Sequence, residues 1–253
     1  MILHGMEAGE GAPVVLLHGL FGSASNFASL QRTLAATHRV VSLDLRNHGA
    51  SPHAPGMAYD DMAGDVLDSM AARGIGAAAV LGHSMGGKAA MRLALMAPGR
   101  VSRLVVADIA PVPYRHNNRA VADAMLALSL TPDLTRRQAD VLLAPAVPDP
   151  GVRGFLLQNL RTGPQPAWRI GLAEIAAALP GIEGWATPHA TYPGPVLVIR
   201  GERSDFVLPE HRPAIRALFP AARFIGLRDA GHWLHADAPA AFSQVVSGFL
   251  AAA

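Results

Sequence analysis

Short apolar runs that end at a glycine or a polar residue recur along the chain, and each has the length of a strand buried on both faces. Between these runs lie segments in which apolar residues return every three or four positions, a pattern that predicts helices. The apolar runs cover residues 14–17, 40–43, 78–81, 104–107 and 196–199. The helical patterns cover residues 25–36, 60–73, 85–96, 210–219 and 238–250. Strand and helix alternate, which predicts an α/β protein with a doubly wound, mostly parallel sheet.

This alternation stops between residues 111 and 193, where we find helical patterns separated by prolines. The patterns cover residues 118–130, 135–143, 152–160 and 167–179. We interpret residues 111–193 as a small all-helical cap inserted into a core formed by residues 1–110 and 194–253. Polar residues follow several strands directly, and ligands of open α/β sheets bind at this carboxyl edge. The cap is therefore expected to cover a site at that edge.

The composition narrows the possible functions. Hydrophobic residues make up 51% and charged residues 16% of the 253 residues, which excludes intrinsic disorder. The 21 basic and 19 acidic residues are scattered, so we expect no nucleic-acid partner. No apolar run reaches the roughly 18 residues of a spanning helix, so we expect no membrane span. The first residues lack the pattern of a secretory signal, which favours a cytoplasmic protein. We expect this protein to be a monomer or a small homo-oligomer.

Cysteine is absent from the sequence, which removes thiolate nucleophiles, disulfides and cysteine-bound zinc. The sequence also contains no His-Glu-x-x-His motif and no close group of histidines and carboxylates at metal-ligand spacing. We therefore expect chemistry that uses neither a metal nor another cofactor.

The pentapeptide Gly82-His83-Ser84-Met85-Gly86 carries the strongest indication of chemistry. It has the pattern Gly-x-Ser-x-Gly, directly follows a predicted strand and directly precedes a predicted helix, as a nucleophile elbow requires. Such a turn holds the serine in a strained conformation and leaves no room for side chains two positions before and after it. Ser84 is therefore the candidate nucleophile, at a helix N-terminus that favours negative charge.

Two backbone N–H groups are needed to stabilise the oxyanion of an acyl-transfer reaction. One is expected from Met85, directly after the serine, and the other from the loop at 18–22, where Leu20 is the candidate. Side chains near these motifs and in the cap are predicted to contact substrate, although packing within the cap is the alternative for the cap aromatics. These side chains are Phe21, His83, Tyr114, Phe155, Trp168 and Trp233.

His232 is the candidate general base because it follows a final predicted strand at 224–227 and precedes the last helix. Hydrolases with a nucleophile elbow have the chain order serine, acid, histidine. Two aspartates could orient the imidazole: Asp205 follows the penultimate strand, and Asp108 ends the strand one position nearer Ser84. These positions leave the choice of acid open.

Five segments of the sequence carry a resemblance to a known family. They are His18-Gly19-Leu20-Phe21-Gly22-Ser23, Asp44-Leu45-Arg46-Asn47-His48-Gly49-Ala50-Ser51, Gly82-His83-Ser84-Met85-Gly86-Gly87-Lys88, Asp108-Ile109-Ala110-Pro111-Val112 and Gly231-His232-Trp233-Leu234-His235-Ala236-Asp237. Together they resemble the α/β-hydrolase superfamily and, within it, the YbfF-type esterases. The resemblance implies a serine esterase or thioesterase with a small helical cap. It also favours Asp108 as the acid, although this sequence departs from the pattern by having a second aspartate at position 205.

We therefore predict a serine hydrolase that cleaves small-molecule carboxylic esters or thioesters through an acyl-enzyme on Ser84. The same triad would also serve a carbon–carbon bond hydrolase, a cofactor-free haloperoxidase or a non-catalytic binder of small ligands. A nucleotide-binding loop is a further alternative for residues 82–88, but Ala89 stands where such a loop needs a hydroxyl group for magnesium.

Overall fold

The computed structural model describes residues 1–115 and 117–252, and seven strands within these ranges form one sheet. In chain order, the nine strands of the described ranges are β1 (Gly5–Ala8), β2 (Ala12–Leu17), β3 (His38–Leu43), β4 (Ala78–His83), β5 (Val101–Ala107), β6 (Leu160–Arg161), β7 (Ala167–Trp168), β8 (Val196–Gly201) and β9 (Ala222–Leu227). Two of them, β6 and β7, form a separate ladder. The sheet has the order β1-β3-β2-β4-β5-β8-β9. Strand β1 runs antiparallel to β3, and the other neighbours are parallel. The predicted mostly parallel sheet is thus confirmed.

Helices cover both faces of this sheet. In chain order, the α-helices are α1 (Ala28–Leu34), α2 (Tyr59–Ala72), α3 (Met85–Met96), α4 (Asn118–Leu126), α5 (Arg136–Leu143), α6 (Pro150–Leu157), α7 (Leu172–Glu183), α8 (Arg212–Leu218), α9 (Leu234–Asp237) and α10 (Pro239–Ala251). In β2, Val14 and Leu16 join an apolar cluster with α1 and α10, whereas Val15 and Leu17 join another with α2 and α3. Successive strand side chains alternate between faces, so a sheet covered on both sides requires a continuous apolar run. None of the helices in the described ranges is both long and apolar enough to cross a membrane.

The edge strand β1 lies outside the predicted strands. It pairs with β3 in the register Gly5 opposite Leu43 and Ala8 opposite Val40. Its residues are only partly buried, and Glu7 is exposed. Because one side of this strand faces solvent, it lacks the continuous apolar run that marks the buried strands.

The segment between β5 and β8 contains helices α4 to α7 but is not all-helical, so this part of the prediction is wrong. Strands β6 and β7 form a short antiparallel ladder, with Leu160 opposite Trp168. The helix predicted over 167–179 begins at Leu172. Residues 167 and 168 pair with β6 instead, and Pro164 and Pro166 keep the residues before them extended on the way into this ladder. Gly163 between the two strands has a φ of 110°, a conformation suited to glycine.

Candidate active site

Ser84 occupies the tight turn between β4 and α3. Its φ of 53° and ψ of −121° are unusual for a residue with a side chain. A Cβ on Gly82 would lie 2.0 Å from the carbonyl oxygen of Gly86, and a Cβ on Gly86 would lie 2.3 Å from the carbonyl oxygen of Leu17. Both glycines are therefore required by backbone contact, which is the physical reason for the Gly-x-Ser-x-Gly pattern.

Backbone hydrogen bonds fix this turn to the sheet and to the helix. The N–H of Ser84 donates to the carbonyl of Ala107 at the end of β5, over 3.0 Å. The Ser84 carbonyl accepts hydrogen bonds from the N–H groups of Gly87 (2.8 Å) and Lys88 (3.1 Å). Ser84 lines a cavity of about 310 Å³ between the carboxyl edge of the sheet and the cap, and His232 lines the same cavity.

The structure brings Asp108 and His232 together. Nδ1 of His232 lies 2.8 Å from Oδ2 of Asp108, whose side chain is completely buried. The Asp108 carboxylate also accepts hydrogen bonds from the N–H of Gly201 (3.0 Å) and from the hydroxyl of Ser204. Because a carboxylate accepts, Nδ1 of His232 carries the proton, and Nε2 is left as the basic nitrogen.

Asp205, the other candidate acid, is exposed on the loop after β8. Two neighbours in that loop reach the site instead. Ser204 bonds Asp108, and the ring of Phe206 stacks on the His232 imidazole with 3.7 Å between ring centroids and a 17° tilt. Sequence reasoning singled out this loop for Asp205 and missed the two residues on either side of it.

His83 supports the loop that carries His232. Its Nε2 lies 2.8 Å from the His232 carbonyl oxygen, and the two ring centroids are 4.7 Å apart. Burial, followed by the neighbouring imidazoles of His232 and His235, lowers the pKa of His83 well below its ordinary value. The neutral ring therefore donates its Nε2–H to the carbonyl. His83 lines the cavity, but its Nε2 already donates to the carbonyl of His232.

The two candidate oxyanion donors also lie at the cavity. Met85 is the first residue of α3, so its N–H has no acceptor within the helix. Leu20 lies in the loop after β2. Within residues 1–115 and 117–252, neither N–H donates to another protein group, and both residues line the cavity beside Ser84. Both N–H groups are thus available to an oxygen of a ligand.

Two buried histidines hold the loop at His18–Gly22, which we call the oxyanion loop. His18 Nδ1 lies 2.8 Å from the carbonyl oxygen of Gly19, and its Nε2 accepts from the N–H of Leu45 over 2.9 Å. His48 Nε2 accepts the N–H of Phe21 over 3.1 Å. Burial lowers the pKa of both imidazoles, that of His48 to about 3, so both rings are neutral near pH 7.

The cap contacts the oxyanion loop through Asn159. Its Nδ2 donates to the carbonyl of Phe21 over 2.7 Å, and the side chain is almost completely buried. Phe21 has a φ of 59°, a left-handed conformation that a residue with a side chain rarely adopts. Phe21 is therefore fixed on both sides, by His48 at its N–H and by Asn159 at its carbonyl. Asn159 was missed in the sequence because it lies 138 positions from Phe21.

A second contact joins the start of the cap to the loop beside His232. The Tyr114 hydroxyl accepts from the N–H of Ala110 over 2.9 Å and donates to the carbonyl of Phe206. The Phe206 ring in turn stacks on His232. Tyr114 thus positions the loop that covers the imidazole, in addition to lining the cavity.

Most of the predicted substrate contacts do line the cavity, and one does not. Phe21, Tyr114, Phe155 and Trp233 line it together with His83. Trp168 lies in β7, where its indole N–H donates to the carbonyl of Met125 over 3.2 Å. Its indole N–H is thus bonded within the cap, and Trp168 is not among the residues that line the cavity. Polar side chains that were not predicted as substrate contacts also line the cavity, among them Lys88, Asn118 and Glu183.

No group of three or more histidine, aspartate or glutamate side chains that could hold a metal ion is found in residues 1–115 and 117–252. The polar groups that line the cavity include hydroxyl, imidazole, carboxylate, amide and ammonium groups.

Residues 12–239 match the family model for the alpha/beta hydrolase fold. The chain belongs to this family, and its relatives make it a hydrolase of the carboxylesterase type.

Two relatives and one solved structure illustrate this likeness. Esterase YbfF of Escherichia coli (strain K12) is 39% identical over 94% of this chain and 93% of that protein. The sn-1-specific diacylglycerol lipase ABHD11 of Mus musculus is 41% identical over 94% of this chain and 80% of that protein. The solved structure of a marine microorganism esterase has a TM-score of 0.94 at 32% identity, covering 98% of this chain and 99% of that one. The resemblance predicted from the sequence is confirmed.

Proposed function

We propose that the protein is a serine esterase that cleaves carboxylic esters or thioesters through an acyl-enzyme on Ser84. The observation that carries this proposal is the hydrogen bond of 2.8 Å between His232 and the buried Asp108, beside a cavity that Ser84 also lines. An imidazole whose Nδ1–H is held by a carboxylate has its other nitrogen free to act as a base.

In the first half of the reaction, Nε2 of His232 takes the proton of the Ser84 hydroxyl while the oxygen attacks the acyl carbonyl. The carbonyl oxygen becomes an oxyanion and accepts hydrogen bonds from the N–H groups of Leu20 and Met85. The tetrahedral intermediate collapses, the bond to the leaving oxygen or sulfur breaks, and His232 returns its proton to that leaving group.

In the second half, a water molecule gives its proton to His232 and attacks the acyl group on Ser84. Collapse of the second tetrahedral intermediate releases the carboxylic acid, and His232 returns the proton to Ser84. Asp108 stays ionised and stabilises the imidazolium formed in both halves, while the ring of Phe206 keeps the imidazole plane in place.

The cavity supports a small-molecule substrate with a largely apolar part. Phe155, Trp233, Val121, Val152 and Ile182 supply apolar walls around a volume of about 310 Å³. The names of the relatives, an esterase and a diacylglycerol lipase, favour acyl esters among the bonds that this triad could cleave.

The test is a comparison of Ser84→Ala with Ser102→Ala, a matched control in an exposed position of β5. A fluorophosphonate label, mapped by mass spectrometry, is expected on Ser84 in the parent and in the control. We expect Ser84→Ala to lose both the label and the hydrolysis of aryl esters and acyl-thioesters while keeping the thermal midpoint of the parent. Parental ester turnover in folded Ser84→Ala would refute the proposal, and labelling of Ser84 without turnover of any ester would favour a binding role.

A further inference from the structure

Lys88 is the single lysine among the 253 residues, and the other 20 basic residues are arginines. It follows Ser84 by four positions at the start of α3, so its Cα lies about 6 Å further along the helix axis. Its side chain is only 1% exposed to solvent, yet it lines the same cavity as Ser84. The proposed reaction gives this buried amine no part to play.

The surroundings of Lys88 favour a cation. Nζ donates to the carbonyl oxygens of Glu183 (3.1 Å) and Gly184 (2.7 Å), at the C-terminal end of α7, where the helix dipole is negative. It also lies 4.9 Å from the ring centre of Tyr114 and 5.7 Å from that of Tyr59. Burial nevertheless lowers the pKa of Lys88 to about 7, which reflects the cost of removing an ammonium group from water.

A carboxylate lines the cavity close to this amine. Oε1 of Glu183 accepts a hydrogen bond from Nδ2 of Asn118 over 2.9 Å, and both residues line the cavity. The negative charge of Glu183 raises the affinity of Lys88 for its proton, although Nζ itself bonds backbone carbonyls. We call Lys88, Asn118 and Glu183 the polar subsite.

Hydrogen-bond capacity remains on both sides of the polar subsite. An ammonium group has three N–H donors, and two of those on Lys88 go to the carbonyls named above. A carboxylate accepts about four hydrogen bonds, and the one from Asn118 leaves capacity on Glu183. A neighbouring donor and acceptor suit a ligand group that both accepts and donates, which is the chemistry of a hydroxyl.

Other ligand groups fit the polar subsite less well. A carboxylate would meet the negative charge of Glu183, and like charges repel strongly where little water is present. A plain alkyl end would displace water from an ammonium and a carboxylate without replacing the lost hydrogen bonds. Below pH 7, where Lys88 is protonated, its charge and that of Glu183 sum to zero, so an uncharged polar group is favoured.

We propose that the polar subsite binds a hydroxyl group of the substrate, so that the enzyme prefers esters carrying a hydroxyl remote from the reacting carbonyl. This inference rests on the proposed function, because attack by Ser84 fixes the position of that carbonyl. The hydroxyl could belong to the acyl part or to the alcohol part of the ester, and paired substrates distinguish the two.

The experiment compares matched esters on the full-length protein. For the acyl part, the pair is nitrophenyl hexanoate and nitrophenyl ω-hydroxyhexanoate, with the adipate half-ester as the charged analogue. For the alcohol part, the pair is butyl hexanoate and ω-hydroxybutyl hexanoate. Hydrogen bonds to charged groups contribute enough for a preference of roughly ten- to a hundredfold in kcat/KM for one hydroxylated ester.

Three variants test whether the polar subsite causes that preference. Lys88→Met, which keeps the length of the side chain, is expected to remove the preference mainly through a higher KM for the hydroxylated ester. Glu183→Gln is expected to weaken the preference and to improve cleavage of the adipate half-ester, because the repelling charge is gone. Arg92→Met is the matched control, since Arg92 lies on the same helix and pairs with Asp60 away from the cavity.

Equal kcat/KM within both pairs in the parent would overturn the proposal, as would a preference that survives in Lys88→Met and Glu183→Gln alike. If Lys88→Met does not fold, Glu183→Gln alone decides the outcome. Failure of the proposed function is detected separately, because ω-hydroxyhexanamide and hexanamide can be titrated into Ser84→Ala by NMR. N-butylhexanamide and N-(ω-hydroxybutyl)hexanamide test the alcohol part in the same way. Tighter binding of the hydroxylated amide in either pair supports the polar subsite even without turnover, and equal binding within both pairs contradicts it.

Discussion

Replacing Asn159 by leucine tests whether the cap helps to hold the oxyanion loop in its active shape. The two side chains are similar in size, so the substitution removes hydrogen bonds without opening a large cavity. Asn159 Nδ2 donates to the carbonyls of Phe21 (2.7 Å) and Leu156 (3.3 Å). In Asn159→Leu, the buried Phe21 carbonyl loses this donor, at a cost of about 1 to 3 kcal/mol.

The strained backbone of Phe21 adds to this effect. A left-handed conformation costs a residue with a side chain about 1 to 2 kcal/mol, and the φ of Phe21 is 59°. Once the carbonyl is released, the loop can relax towards an ordinary conformation and move the N–H of Leu20. Complete loss of one oxyanion donor costs about 10² to 10³ in kcat. A partial displacement therefore predicts a fall of roughly ten- to a hundredfold in kcat with little change in KM.

The assay combines steady-state kinetics on an aryl ester with binding of a trifluoromethyl ketone, which forms a tetrahedral adduct with an active serine. We expect the affinity of Asn159→Leu for this inhibitor to fall in step with kcat/KM, because both depend on the oxyanion donors. The adjacent exposed residue supplies the control, Gln158→Leu, which should behave like the parent. A lower thermal midpoint with parental kcat and inhibitor affinity would show that Asn159 stabilises the fold alone, and the reasoning would be refuted.

Three further predictions concern the acid, the turn and pH. Asp108→Asn is expected to lower kcat by roughly 10³ to 10⁴, whereas Asp205→Asn should stay close to the parent; a reversed order in steady-state assays would assign the acid to position 205. Gly86→Ala should lower both the yield of folded protein and its activity, because the new Cβ would lie 2.3 Å from a backbone oxygen. Gly99→Ala is the control, since a Cβ there meets nothing within 4 Å. Equal thermal midpoints for the two variants would contradict this prediction. The pKa of His48 is about 3 in the folded protein and near 6.5 when unfolded, so the unfolded chain binds more protons between these values. The free energy of unfolding should therefore be highest above pH 6.5 and fall as pH decreases towards 4, and urea midpoints that stay constant over this range would exclude the effect.

The sequence was sufficient for the turn that carries Ser84, because its glycines are required by local backbone contact and leave a recognisable pattern. It was insufficient for the acid, because β5 and β8 are neighbours in the sheet and both place an aspartate after their carboxyl ends. Contacts with Gly201 and Ser204 bury Asp108 beside His232, and these contacts appear only in three dimensions.

The parts that sequence reasoning missed depend on contacts between distant segments. Asn159 reaches Phe21 from the cap, and Phe206 covers His232 from the loop after β8. Neither residue type signals such a role in the sequence. The ladder of β6 and β7 was predicted as helix because its apolar spacing is compatible with both structures. The prolines between the two strands were the better indication that no helix continues there.

The hydrogen bonds of Asn159 and Tyr114 have a consequence for engineering. Each one joins the cap to a different loop of the site, one at the oxyanion donors and one beside His232. A cap grafted from another hydrolase would have to reproduce both contacts before its new lining could alter selectivity. Modular exchange of this segment should therefore fail more often than point substitutions within it, even where the foreign cap folds well.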